Sequence, residues 1–189
     1  MSTRPPEGNR TKHYEPQTIR TLRGVTIFSL WSVTIVTLGG IVPQACAADG
    51  WGLNGTYTAT SNGEWAKTNE IFHNEASIRS IWTISTTCSY PTECTGTVVS
   101  DWGWRAPIYQ TGGVWFVKHI VENWQPCPDG SASQGLQVFR FAPTNPDGDA
   151  VDPASPVLTG ADETTGISGA CGRSKTWFIT MPFKLIKTG

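Results

Sequence analysis

The chain has no second long apolar run, no excess of basic residues, no Cys-x-x-Cys pair and no dozen-residue window with helical periodicity. Each absence removes a class of protein. With one apolar run only, a membrane protein of several spanning helices is excluded. Residues 48–189 carry nine Lys and Arg against 13 Asp and Glu, so the basic footprint of a nucleic-acid-binding domain is missing. Cysteines spaced by six, 33 and 44 residues do not offer the paired thiolates of a structural zinc site. Gly-x-Ser-x-Gly does not occur, which removes the nucleophile elbow of the α/β-hydrolases.

What is present begins with a leader. Arg4, Arg10, Lys12, Arg20 and Arg23 precede an uncharged segment from Gly24 to Val42. Ala45-Cys46-Ala47 follows in the small-x-small form of a signal-peptidase site, which predicts a cut after Ala47. The basic flank places the N-terminus inside and the rest outside. The segment's 19 residues also suffice to span a bilayer, so an uncleaved single-pass anchor is the rival reading, and lipidation at Cys46 a weaker one. Residues 1–47 are thus a signal peptide or membrane anchor. Residues 48–189 are a single extracytoplasmic domain, secreted or held in the cell envelope.

Four cysteines remain beyond the leader. In an exported domain an even set reads as two disulfides. Three pairings are possible in principle. Cys88–Cys94 with Cys127–Cys171 is favoured, because the first pair brackets a single turn.

Alternation of Thr, Val, Ile, Trp and Phe with polar residues, broken by Gly, Pro, Asn and Asp clusters, predicts strands. They fall at Leu53–Thr60, Glu64–Phe72, Ile78–Thr86, Gly96–Ser100, Ala106–Gln110, Val114–Val121, Leu136–Ala142, Val157–Gly160 and Thr176–Lys187. The stretch Asn69–Ser80 leaves room for a helical turn. Asn62-Gly63 and Gly112-Gly113 read as tight hairpin turns. On the last strand Trp177, Ile179, Met181, Phe183 and Leu185 form the apolar face, and Pro182 predicts a bulge or strand edge. The fold class is all-β: an antiparallel meander closing into a barrel of eight or nine strands, with a two-sheet sandwich as the alternative. Most of the eight Trp in residues 48–189 are expected in the core.

Candidate chemistry is sparse. His119 lies on the apolar face of its strand, the setting of a buried structural histidine. Ser168 in Gly-Ile-Ser-Gly offers only a weak nucleophile for a triad with His119. Asn145, Asp147, Asp149 and Asp152 place oxygens at near-alternate positions of an acidic loop, yet the bidentate Glu of a calcium-binding loop is missing. No cofactor or metal is expected. Trp102-Gly103-Trp104-Arg105 is the binding candidate: in extended chain both indoles share a face, flanked by Asp101 and Arg105, and form either a stacking platform or a cap on an open barrel end.

The order Gly55–Tyr57, Trp82–Cys88, Cys94–Val98, Gly113–Trp115, Cys127–Gly130 and Ser168–Gly172, closing on Met-Pro-Phe-Lys-Leu, resembles actinobacterial, especially mycobacterial, exported or membrane-anchored proteins. The resemblance spans nearly all of residues 53–189. It implies an extracytoplasmic β-domain, sometimes displayed beyond a transmembrane helix, and it carries over no catalytic residues. The expected function is a non-enzymatic envelope module that binds a ligand or protein partner, with membrane contact only through an uncleaved leader. An extracellular hydrolase acting on envelope glycan or ester is the alternative.

Overall fold

The computed structural model describes residues 50–189; the leader and its cleavage site lie outside the described residues. Ten strands form one antiparallel sheet: β1 (Gly55–Ser61), β2 (Lys67–Thr68), β3 (Ile71–Phe72), β4 (Ile78–Tyr90), β5 (Glu93–Ser100), β6 (Arg105–Thr111), β7 (Val114–Pro126), β8 (Ala132–Pro143), β9 (Val157–Gly166) and β10 (Phe178–Lys187). Eight of them, β1 and β4–β10, pair in sequence order, and β1 also pairs with β10. The sheet therefore closes on itself as a barrel, as expected from the short connections, and closure leaves no edge strand among those eight. Strands β2 and β3 extend β10 beyond the end of β1.

Inward positions follow the period-two pattern. Trp82, Ile84, Val98, Ile108, Trp115, Val117, Phe141 and Leu185 are fully buried. Trp82 is central: it packs edge-to-face on Trp104 and Phe139, at 5.4 and 4.9 Å between ring centroids, and lies 5.4 Å from Phe183. Both disulfides form as the spacing predicts, Cys88–Cys94 across the β4–β5 ladder and Cys127–Cys171 between the ends of β7 and a short 3-10 turn at Ala170–Gly172. Gly112-Gly113 makes the expected hairpin, with φ of 59° and 83° between the paired Thr111 and Val114.

Several expectations need correcting. Residues 64–72 are not one strand. Asn62 caps a 3-10 turn at Gly63–Trp65, its side chain accepting from the Glu64 amide, and the short β2–β3 hairpin follows. Asn62-Gly63 is therefore not a hairpin turn; β1 pairs with β4 and β10, and a side chain on Gly63 would collide with the Glu75 backbone. Nor does a helical turn occur in 69–80. Pro182 causes no bulge: it lies where the neighbour of β10 changes from β1 to β2, and its carbonyl accepts from the Asn62 amide at 2.8 Å. Its missing N–H thus falls at the end of the β1 ladder. The tryptophans are also less buried than expected. Trp82 and Trp115 are core; Trp104, Trp124 and Trp177 are half-buried; Trp51, Trp65 and Trp102 are exposed.

The strand directions sort the connections between two ends. One end holds Gly50–Asn54, where the described chain begins, the Cys88–Cys94 turn, the Gly112-Gly113 hairpin and the loop 144–156. The opposite end holds residues 62–77, 101–104, 127–131 and 167–177.

Candidate functional site

This second end carries Trp65, Trp102, Trp104 and Trp177, with Trp124 close by in the last part of β7. Inside it the core leaves a cavity of about 160 Å³. Its walls are Trp82, Trp102, Trp104, Trp124, Phe139, Phe183, Ile179 and Met181, with a polar band of Ser61, Ser80, His119, Gln137, Asp162 and Thr164. Ile84, Val98, Ile108, Val117, Phe141 and Leu185 do not line it, nor do they line a second, wider cavity of about 520 Å³ at the other end.

The polar band is set by strand register. His119 on β7 pairs with Gln137 on β8, Gln137 with Thr164 on β9, and Phe139 with Asp162. Adjacent inward positions thereby bring a histidine, an amide and a carboxylate together around the barrel. The Asp162 carboxylate, 2% exposed, accepts from the Ser61 hydroxyl at 2.6 Å and from the Gln137 amide at 2.7 and 2.9 Å. Burial pushes its pKa up, with a smaller push from the neighbouring Glu163 charge, while the Ser61 and Gln137 hydrogen bonds pull the other way.

His119 Nδ1 lies 3.1 Å from the Ile120 carbonyl, which requires that nitrogen to carry the proton and leaves Nε2 as an acceptor in the neutral ring. Nε2 is buried and has no partner in hydrogen-bonding geometry. Burial lowers the histidine pKa, opposed by the Ile120 carbonyl and the neighbouring Gln137 side chain. The Trp82 Nε1–H is likewise buried without a protein acceptor. Two unpaired buried polar atoms thus belong to side chains of one cavity wall, where most buried polar groups find partners.

Local sequence explains how the aromatic walls are placed. Residues 101–104 are a turn: Gly103 has φ of 84° and donates to the Ser100 carbonyl, while Asp101 ties the turn to β4 by accepting from the Ile81 amide at 2.9 Å. The shared extended face expected for Trp102 and Trp104 therefore does not form. Both still line the cavity, by different routes: Trp104 folds inward onto His119 and Trp82, and Trp102 stands 62% exposed at the rim. Arg105 begins β6, is exposed, and does not line the cavity.

Trp124 owes its position to a bulge. Between Val121 and Gln125 the ladder shifts register, with Asn123 at φ of 53°, so β7 carries extra residues opposite β8. The Trp124 ring then covers Gly135, where any β-carbon would sit 2.8 Å from it.

The hydrolase candidates stay apart. Ser168 is exposed beside the 3-10 turn, and no hydrogen bond among the described residues joins it to His119. In the acidic loop the Asn145 side-chain oxygen accepts from the Gly148 and Asp149 amides, and its nitrogen donates to Asp149. Those oxygens serve the turn. Among the described residues no cluster of three or more His, Cys, Asp or Glu has metal-binding geometry, and no helix is long and apolar enough to cross a membrane.

No family model matches this chain, and no curated protein matches it in sequence. Among solved structures it is similar to the sensor domain of PknI from M. tuberculosis in its monomer form. The TM-score is 0.51 and the identity 16%, over 72% of this chain and 88% of that one. At that identity the likeness is one of fold.

Proposed function

We propose that residues 48–189 form a non-enzymatic extracytoplasmic binding module that receives a small ligand, or a side group of a partner, in the cavity between β1, β4 and β7–β10. The carrying observation is that cavity itself: an aromatic-walled space in a barrel interior, with the buried Trp82 Nε1–H and His119 Nε2 left without protein partners. Pockets of this composition, apolar with a few convergent polar groups, are the usual form of small-ligand sites. Trp102 and Trp104 are its binding residues at the rim and wall; Arg105, on the outer surface, is left to a partner contact.

Two further observations support the setting. Two disulfides suit an oxidising compartment, in line with the export expected from the sequence of the leader. The fold neighbour is described as a sensor domain, a role that needs binding and no chemistry of its own. The hydrolase alternative has no comparable support, since His119 contacts an aromatic face and a backbone carbonyl rather than a nucleophile.

The test is a fragment screen on the disulfide-intact protein, read by amide chemical shifts. The proposal expects saturable shifts that centre on Trp104, His119 and Gln137 and vanish in Ser80→Leu, which fills the cavity. Saturable shifts confined to the opposite end, or none at all, would sink it.

A further inference from the structure

The cavity combines two features that point to one class of ligand. Its walls include the indoles of Trp82, Trp102, Trp104 and Trp124, a ring type whose quadrupole attracts positive charge to its face. Its one carboxylate, Asp162, is buried among hydrogen-bond donors and has no cationic partner. No Lys or Arg lines the cavity, and the ion pairs among the described residues, His73–Glu75 and Arg140–Glu163, both lie elsewhere. His119 does not supply the missing charge at neutral pH, because burial disfavours its protonated form.

We propose that the cavity accepts a small alkylated ammonium group, held against the indole faces and neutralised by Asp162. The inference rests on the binding reading above and names its ligand. A neutral apolar ligand would leave the buried carboxylate with only its Ser61 and Gln137 hydrogen bonds, or make it take up a proton. An anion would meet the carboxylate and the π faces, both repulsive. A bare metal ion would find one carboxylate where calcium wants six to eight oxygens. Size agrees: the cavity is about 160 Å³, and an engineered apolar cavity of about 150 Å³ holds benzene, a molecule comparable in bulk to tetramethylammonium. The buried Trp82 Nε1–H would suit a ligand that also carries a hydroxyl.

The experiment compares choline with 3,3-dimethylbutan-1-ol, its uncharged isostere, in titrations of the full-length oxidised protein followed by tryptophan fluorescence. Choline is expected to bind at least about tenfold more tightly than the isostere, and Asp162→Asn is expected to close that gap without abolishing isostere binding. Should Asp162→Asn not fold, Trp102→Ala takes its place, with choline affinity expected to fall more than that of the isostere. Equal affinities for the two probes would overturn the ammonium assignment and leave the cavity as a site for neutral ligands. Binding of neither would overturn the ammonium assignment too; the fragment screen then decides separately whether the binding module stands.

Discussion

Trp104 lies face to face with His119, ring centroids 4.2 Å apart and planes 13° from parallel. The stack joins the 101–104 turn to β7 and gives the cavity one continuous wall, extended by Phe139 6.1 Å from the imidazole. It also buries a titratable ring, which ties the stability of this end of the barrel to pH.

The sign follows from the direction of the shift. The folded-state pKa of His119 lies below its ordinary 6.5, so the unfolded chain takes up the proton first as pH falls. The stability due to neutral His119 is complete above 6.5 and is lost as pH drops through the lowered folded value. Thermal midpoints should fall between about pH 7 and about pH 5, and His119→Gln should remove that part of the slope. An unchanged slope in the variant would show that His119 is not its source.

Asp162 acts in the opposite sense. Its folded pKa is raised above 3.8, so the native state holds the proton more tightly than the unfolded chain. Its contribution is present below 3.8 and is lost as pH rises through the raised folded value. Asp162→Asn should flatten this term, seen as a smaller loss of stability on going from acid to neutral pH in denaturant titrations.

Trp102 and Trp104 should differ in their worth to stability. Trp102→Ala should change stability by no more than about 0.5 kcal/mol, because the ring is largely exposed. Trp104→Ala removes packing on Trp82, His119 and Phe139 and should cost about 2 kcal/mol or more. Chemical denaturation of the two variants gives both numbers, and a similar cost for each would contradict the geometry.

The two disulfides should differ in worth. Chain entropy assigns about 2.4 kcal/mol to the six-residue spacing of Cys88–Cys94 and about 4 kcal/mol to the 44-residue spacing of Cys127–Cys171. Paired Cys→Ser substitutions should rank accordingly in unfolding free energy. The second pair should also disturb the Trp124–Trp177 contact beside the cavity, visible in near-ultraviolet dichroism.

Gly135→Ala tests the bulge. A β-carbon there meets the Trp124 ring at 2.8 Å. The substitution should cost about 1–3 kcal/mol and move the Trp124 resonances, whereas a silent variant would mean the ring is free to leave.

The barrel was legible because its signals are local. Trp82 and Ile84 alternate with Ile81 and Thr83, Phe183 and Leu185 with Pro182 and Lys184, and Gly112-Gly113 supplies the two positive-φ positions of a hairpin. The candidate site was less so. His119 was visible as a histidine on an apolar face, and Trp102 and Trp104 as a pair. Asp162 was not, since Ala161-Asp162-Glu163 interrupts the apolar alternation, which marks the strand only as far as Gly160, six residues short of Gly166. Ser61 looked like part of a turn. What joins Ser61 to Asp162 is a hydrogen bond between residues 101 apart in sequence, and only closure of the sheet brings them together. Residues 64–72 misled for a different reason: their alternation is strand-like, but Asn62 satisfies the Glu64 amide and diverts the chain into a 3-10 turn.

Closure also sets an order of events. The ladder between β1 and β10 joins Ser61 to Phe183 and Tyr57 to Lys187, pairings that no nascent segment can make until the final strand is available. A chain that appears N-terminus first must keep β1 without its second neighbour while every other strand is added. Such long-range pairing makes for slow folding. The segment 178–189 therefore acts as the clasp of this domain, and any delay in its arrival holds the whole barrel open.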